Sequence, residues 1–519
     1  MTDTAPSDAT AAAARRWTLV SAVLGSSMAF MDGTVVNVAL PAIQRSLGAS
    51  GADAQWIIEA YALFLAALLL VGGALGDRFG RKRLFLIGVA VFTVTSAACA
   101  AAQDTGQLIA ARALQGIGAA LLVPGSLALL GANFPEASRG RAIGTWSAFS
   151  GITAAIGPVV GGFLVDHFSW RWAFLLNVPI GVVLVLACLA KVPESRGSAD
   201  GPVDVAGAVT ATLGLAGIVF ALIEAPARHW NAAPVLAAGA LGLGGLAAFL
   251  ACEARVRDPM LPLHLFRNRD FAGANLLTLL LYAALGGGLY FVPLNLIQVQ
   301  GYGATAAGAA LLPFVAIMFA LSRWAGSLVD AVGAKIPLVV GPAIAAAGFA
   351  LFARPGVGGS YWTTFFPAIC VLGLGMTITI APLTTTVMNA LGESLAGTAS
   401  GVNNAVSRAA GLLAIAALGA LLAQVFEARL HDTLAHAGLP SDVADSVFEQ
   451  RHKLAAIAPP SGTASAVAAR VHAVVGDAFV AGFRAVMSSG AGLALAGALS
   501  AWWLISGHRP GTDSKGRDA

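Results

Sequence analysis

The chain has 519 residues, of which 57% are hydrophobic and only 11% are charged. Soluble domains carry about a quarter charged residues, so this composition indicates a membrane protein with several spans. The formal net charge is +4, and the basic residues are spread over short loops without interleaved aromatic residues, so we expect no nucleic-acid partner.

Fourteen apolar runs are long enough to cross a bilayer, since a spanning helix needs about 20 apolar residues. The first run follows a polar N-terminus without signal-peptide features, so we expect it to remain as an uncleaved helix. The predicted spans cover residues 17–40, 55–75, 84–102, 107–131, 141–165, 171–191, 203–223, 233–252, 271–297, 304–328, 335–353, 361–388, 399–425 and 481–506.

The charges of the loops predict the orientation of these spans. The loop after the second span carries Arg78, Arg81, Lys82 and Arg83, whereas the short loops on the other side carry only Arg45, Arg171, Arg228 and Arg354. Because loops rich in arginine and lysine stay in the cytoplasm, both termini are predicted to be cytoplasmic. The alanine- and arginine-rich composition is typical of a GC-rich bacterium, which suggests a bacterial inner membrane.

One long polar segment, residues 427–478, separates the last two spans and is predicted to lie outside the cell. Within it, residues 441–456 have the pattern of a short amphipathic helix with Ser441 as its N-cap. The segment fits a surface cap or spacer, and a role in gating or partner binding is the alternative.

A short motif occurs twice and divides the chain. The spacing of Gly73, Asp77, Gly80 and Lys82 recurs at Gly326, Asp330, Gly333 and Lys335, after the second and the tenth predicted span. Two homologous bundles are typical of transporters, whose substrate site lies between the halves. The predicted organisation is therefore an all-α protein with a tail at 1–16, a six-helix bundle at 17–192, two inserted helices within 193–270, a second six-helix bundle at 271–506 and a tail at 507–519.

Four motifs in the predicted spans and loops carry a family resemblance. They are G-x-L-x-D-R-x-G-R-K at Gly73–Lys82, D-x-T-x-x-N-x-A-L-P at Asp32–Pro41, R-x-x-Q-G-x-G at Arg112–Gly118 and G-P-x-x-G-G at Gly157–Gly162. With these motifs in this order, the chain resembles the fourteen-span drug:proton antiporters of the major facilitator superfamily. One departure is Thr153, which stands where the antiporter motif usually has a further glycine.

Three charged residues at membrane depth are candidates for proton coupling. Asp32 lies deep in the first span and Glu59 lies early in the second, where an ionised carboxylate needs a cation or a proton. Arg112 lies near the outer end of the fourth span and needs an anionic or carbonyl partner, for which Asp32 and Glu59 are the candidates. A structural hydrogen bond for Asp32, an interfacial position for Glu59 and snorkelling of Arg112 are the alternatives.

The basic loop predicts a cytoplasmic gate, and the glycine motif predicts a tightly packed seal. The loop is expected to form a cytoplasmic gate, in which Asp77 caps a facing helix or pairs with a basic residue of the other half. Its residues are Gly73, Asp77, Arg78, Gly80, Arg81 and Lys82, with Asp330 in the second copy. In the fifth span, the helix breaker Pro158 and the small residues Gly157, Gly161 and Gly162 predict close helix packing that seals against leak.

The predicted function is export of drugs or other amphipathic small molecules by alternating access. No Walker-type G-x-x-x-x-G-K-[ST] sequence occurs, so we expect the proton gradient, without a cofactor, to supply the energy. The histidines lack ligand spacing and the cysteines lie in apolar runs, so neither a metal site nor an enzyme is expected. A dedicated exporter of one metabolite or antibiotic, and an importer of the same fold, are alternatives. A dicationic drug is disfavoured because the second half has no clearly buried acid, and a monomer is expected.

Overall fold

The computed structural model describes residues 8–196, 204–256, 259–391 and 395–506. Within them lie fourteen helices that are long and apolar enough to cross a membrane, which confirms the predicted class and number of spans. We number them α1 (Asp8–Leu47), α2 (Gly51–Phe79), α3 (Arg81–Ala101), α4 (Thr105–Asn133), α5 (Glu136–His167), α6 (Trp172–Leu175 and Asn177–Lys191), α7 (Val205–Arg228), α8 (Ala233–Glu253), α9 (Arg269–Leu294 with a π-helical turn, Asn295–Val299), α10 (Ala304–Ala310 and Leu312–Val332), α11 (Lys335–Phe352), α12 (Phe366–Asn389), α13 (Ala396–His436) and α14 (Ser465–Leu504). Residues 1–7 of the predicted N-terminal tail and all of the predicted tail at 507–519 lie outside the described residues.

The two six-helix halves have the same packing pattern. In the first half, α4 packs against α2 and α3, α1 packs against α5 and α6, and α3 packs against α6. In the second half, the same contacts are made by the helices eight positions later, namely α12 with α10 and α11, α9 with α13 and α14, and α11 with α14. The inserted helices α7 and α8 pack on each other, and α7 also contacts α2 and α13.

The repeated loop motif corresponds to two equivalent turns. Gly80 ends α2 with φ +112°, and Gly333 ends α10 with φ +78°. Both angles lie in the region that favours glycine, and both backbone amides close the last turn of their helix by donating to a carbonyl four residues earlier. We call the side of the molecule that carries Gly80 the basic face, and the opposite side the distal face.

The last two helices extend far beyond the predicted spans. They contain 41 and 40 residues, which at 1.5 Å per residue makes each about 60 Å long, roughly twice the hydrocarbon thickness. The polar stretches expected in a loop at 427–478 are therefore largely helical, and Arg429 Nε of α13 donates to Asp477 Oδ2 of α14 at 3.0 Å. Only residues 437–464 connect the two helices.

The connecting segment contains the expected short helix, but its cap differs from the prediction. The helix covers Ser441–Glu449 and continues as a 3₁₀ helix over Gln450–Ala456. Pro440 occupies the N-cap position and Ser441 is the first helical residue, so the predicted Ser441 cap is wrong. Proline fits there because its fixed φ is compatible with the chain leading into a helix.

The turn after α2 provides a test of the repeat motif. A Cβ atom at Gly80 would lie 3.0 Å from the Glu194 carboxyl carbon, and its positive φ alone costs about 1–3 kcal/mol for another residue. We expect Gly80→Ala to lower the midpoint of thermal unfolding of the purified protein. The matched control is Gly76→Ala, because a Cβ atom there meets nothing within 4 Å; an equal loss of stability in both variants would contradict this interpretation.

Candidate functional site

A fully buried ion pair joins α1 and α4. Arg112 Nη1 donates to Asp32 Oδ2, and both side chains are 0% exposed. The same arginine donates from Nε to the Ile57 carbonyl oxygen at 2.9 Å and from Nη1 to Gln115 Oε1 at 2.6 Å. Of the two acids that the sequence offered as partners for Arg112, the structure places Asp32 in contact with it. Each charge compensates the other in a region where either alone would be costly.

Two further side chains donate hydrogen bonds to Asp32, and one of them also donates to a serine of α3. Gln115 Nε2 donates to Asp32 Oδ1 at 2.9 Å and to Ser96 Oγ at 2.7 Å, and Asn177 Nδ2 donates to Asp32 Oδ1 at 3.0 Å. Side chains of α1, α3, α4 and α6 therefore form one network around this carboxylate, which α3 joins through Ser96. Sequence analysis missed Ser96 and Asn177, for which the only signal was a polar residue inside an apolar run.

Aromatic rings cover the arginine of this network. The guanidinium carbon of Arg112 lies 4.3 Å from the Tyr61 ring centroid and 5.8 Å from that of Phe174. Tyr61 is held in place by donation of its hydroxyl to the Ala29 carbonyl oxygen at 3.1 Å. Cation–π contacts of this kind stabilise a desolvated guanidinium, and they keep water from the ion pair on this side.

Glu59 lies apart from this network. Its side chain is buried in α2, and neither carboxyl oxygen has a hydrogen-bond partner among the described residues. Burying a carboxylate without a partner is much more costly than burying a neutral carboxylic acid. None of the hydrogen bonds of Asp32 involves Glu59 in this state.

The G-P-x-x-G-G motif lies where three helices meet. A Cβ atom at Gly157 would collide with Thr34 Oγ1, and one at Gly161 would lie 3.0 Å from the Val35 carbonyl oxygen, so α5 packs tightly on α1. The opposite side of α5 packs equally closely on the second half, because a Cβ atom at Gly162 would collide with the Ala304 carbonyl group of α10. Small residues are thus needed on both sides of α5.

One turn after Gly162, an aspartate caps a helix of the other half. Asp166 Oδ1 accepts from the Ala304 amide at 3.0 Å, and Oδ2 accepts from the amide and hydroxyl of Thr305 at 2.8 and 2.7 Å. These amides begin α10, where a negative charge is favourable. Sequence analysis missed Asp166, although its spacing of four from Gly162 places both residues on one side of α5.

Two further polar contacts between the halves lie near the distal face. Gln298 Nε2 of α9 donates to Gln44 Oε1 of α1 at 2.8 Å, and Gln55 Nε2 of α2 donates to the Ile415 carbonyl oxygen of α13 at 3.4 Å. Nearer the basic face, a Cβ atom at Gly144 or Gly151 of α5 would meet nothing within 4 Å in the described part of the chain. The halves therefore close at the distal face and separate towards the basic face.

The basic loop makes local contacts in this state. Arg81 Nε donates to Asp77 Oδ1 at 2.7 Å, while the Arg78 guanidinium lies 5.6 Å from the Phe79 ring centroid. Asp77 therefore pairs within its own loop rather than with the other half. A Cβ atom at Gly73 would lie 3.7 Å from Pro124 Cβ, which is an ordinary contact.

An acid outside the motif caps the helix that follows the loop. Glu194 accepts from the backbone amides of Lys82 and Arg83 at 2.9 and 3.1 Å, and Lys82 Nζ donates to the Leu189 carbonyl oxygen at 3.1 Å. Sequence analysis missed Glu194, which lies more than a hundred positions later in the chain. In the second copy of the motif, the backbone of Asp330 lies in α10, and its side chain is outside the described residues.

Comparison with protein families identifies the fold. Residues 22–415 match the family described as the Major Facilitator Superfamily. The chain belongs to the major facilitator superfamily. This confirms the resemblance drawn from the four motifs and makes the protein a multi-pass member of a transporter family.

Characterised relatives match over most of their length. The chain is 34% identical to the tetracenomycin C resistance and export protein of Streptomyces glaucescens, with 93% of this chain and 90% of the relative covered. It is 33% identical to the multidrug resistance protein Stp of Mycobacterium tuberculosis over 91% and 88%. The methylenomycin A resistance protein of Streptomyces coelicolor is 36% identical over 77% and 84%.

Solved structures share the fold at low sequence identity. A bacterial homologue of the human lysosomal transporter Spinster, in an inward-facing and occupied conformation, superposes with a TM-score of 0.66 at 17% identity, covering 94% of this chain and 96% of that chain. The inward-open xylose transporter XylE of E. coli gives a TM-score of 0.55 at 13% identity over 95% and 97%. Both likenesses concern the fold alone.

The Asp166 cap provides a test of closure at the distal face. We expect Asp166→Asn to weaken the contact with α10 and to populate states in which the halves separate there. Spin labels on Ser46→Cys and Ser360→Cys, one in each half, should then show longer distances by double electron–electron resonance, with Cys252 and Cys370 replaced by serine. Asp104→Asn is the matched control, because Asp104 caps the Gln107 amide within its own half at 2.8 Å. Unchanged distances in Asp166→Asn would contradict the assignment.

Proposed function

We propose that this protein exports drugs or other amphipathic small molecules across a bacterial inner membrane in exchange for protons. The observation that carries the proposal is the buried Asp32–Arg112 pair in a chain whose full-length relatives are named as resistance and export proteins. A transporter of this kind is not an enzyme and has no need of a cofactor, because the proton gradient supplies the energy.

The proposed orientation follows from the charges of the loops. The basic face carries Arg81, Lys82 and Arg83, which the positive-inside rule places in the cytoplasm together with both termini. In this orientation the cleft between the halves opens to the cytoplasm and the distal face is closed. The state described here is then one that loads its cargo from the cytoplasm or the inner leaflet.

Asp32 is proposed as the residue that carries the proton. Protonation removes its negative charge and with it the main partner of Arg112, which is otherwise fully buried. The arginine must then find other partners, so α1 and α4 can move relative to each other. Release of the proton to the cytoplasm restores the pair and favours the cytoplasm-facing arrangement, in which cargo binds in place of the proton. Because cargo and proton do not bind together, they cross the membrane on separate steps in opposite directions.

Glu59 is proposed as a second proton-binding group, because a neutral carboxyl suits its partnerless position. The loop residues Asp77, Arg78, Arg81 and Lys82 are proposed to gate the cytoplasmic side in the opposite, outward-facing state. Gly157, Pro158, Gly161 and Gly162 are proposed as the seal, since the close contact of α5 with α1 and α10 leaves no room for leak. The protein is proposed to act as a monomer.

A dedicated exporter of one endogenous antibiotic or metabolite is the second candidate. The relatives named after tetracenomycin C and methylenomycin A favour it, since each of these names gives a single compound. The fold and the proton site would be the same. An importer of the same fold is disfavoured by the antiporter motif.

Efflux of ethidium and of a neutral dye from cells, with and without a protonophore, tests the function. We expect efflux that stops when the protonophore collapses the proton gradient. Cells with an Asp32→Asn variant of equal membrane abundance should retain the dye. Efflux that survives the protonophore would contradict proton coupling, whereas no efflux of any tested dye would favour the single-compound exporter.

A further inference from the structure

We infer that the central cleft recognises an aromatic compound that bears an acidic oxygen, such as a carboxylate or a phenolate, and that Arg408 binds this oxygen. The inference rests on the proposed export function and specifies the class of cargo. Arg408 belongs to the second half and is part neither of the four motifs nor of the Asp32–Arg112 network.

Arg408 lies deep in the membrane and between the halves. It is the thirteenth residue of α13, so it lies about 18 Å from the start of that helix. Its guanidinium carbon is 6.0 Å from the ring centroid of Phe30, which belongs to α1 of the other half. Asn404, one turn earlier on the same side of α13, is exposed, so this side of the helix faces the open part of the cleft.

The charge of Arg408 is not compensated by the described protein groups. It takes part in none of the ion pairs between described residues, and its Nε is buried without a hydrogen-bond partner. The Phe30 ring lies at the outer limit of a cation–π contact. The fully buried Arg112, by contrast, has a carboxylate, a carbonyl and an amide oxygen as partners. Arg408 is therefore available for an anion that comes from outside the protein.

An aromatic pair of the first half adjoins this cation through Phe30. Phe30 and Trp146 meet edge to face with ring centroids 6.5 Å apart, and Trp146 Nε1 donates to Ser26 Oγ at 2.9 Å, which fixes its orientation. Flat apolar surfaces in these positions suit a planar aromatic ligand.

The local charge balance selects the anionic end of such a ligand. Asp32 is already neutralised by Arg112, so Arg408 adds an uncompensated positive charge to the cleft. A guanidinium presents parallel N–H donors that match the two oxygens of a carboxylate. An acidic oxygen is therefore attracted, whereas a dicationic drug is repelled.

Binding of two matched fluorescent probes to the purified protein tests the inference. We expect 9-anthracenecarboxylate to bind at least about tenfold more tightly than the uncharged 9-anthracenecarboxamide, since a charge-assisted hydrogen bond in a desolvated site is strong. Arg408→Gln should abolish this preference, and Arg408→Lys should keep part of it. Arg323→Gln, which changes an exposed arginine of α10 in the same half, should leave the preference unchanged.

The possible outcomes separate this inference from the proposed function. The role of Arg408 would be overturned if the wild type bound both probes equally, or if Arg408→Gln preferred the carboxylate as strongly as the wild type does. The comparison of the two probes in the wild type is informative even if a variant fails to fold. Binding is measured in detergent without a gradient, so it does not depend on export. If proton-dependent efflux fails but the preference for the carboxylate is intact, the proposed function is contradicted. The binding site at Arg408 would still be supported.

Discussion

The structure depends on one constraint, which is that two opposite charges are buried together in the first half. Neither Asp32 nor Arg112 is exposed to solvent, and the cost of leaving one of them alone exceeds that of most single contacts in the protein. Gln115 and Asn177 donate further hydrogen bonds to Asp32, and Gln115 also donates to Ser96. Side chains of four helices thus form one network around this carboxylate.

The contacts between the halves explain how a change in the Asp32–Arg112 pair can reach the distal face. At the distal face, α5 packs against α1 through its glycines and against α10 through Gly162 and Asp166. Helix α1 carries Asp32 and also packs against α5. It therefore connects the ion pair with the contacts that close the distal face. A shift of α1 relative to α4 therefore acts directly on the packing of α5, with no need for a longer pathway.

Much of the fold was accessible from the sequence, because span length and loop charge are strong constraints in a bilayer. The pairing of Arg112 with an acid also followed from its depth. Ser96, Asn177, Asp166 and Glu194 were missed, since their roles depend on partners that only tertiary structure brings near. The helical extensions of α13 and α14 were missed because polar residues outside the bilayer do not prevent a helix.

The role of Asp32 in proton coupling can be measured through the pH dependence of closure at the distal face in the wild type and in Asp32→Asn. Spin-label distances across the distal face, read in detergent at pH 8 and pH 5.5, need no knowledge of the cargo. We expect the wild type to be closed at pH 8 and to open further at pH 5.5, whereas Asp32→Asn, which resembles the protonated form, should be open at both. A variant that keeps the full pH response of the wild type would show that Asp32 does not carry the coupled proton.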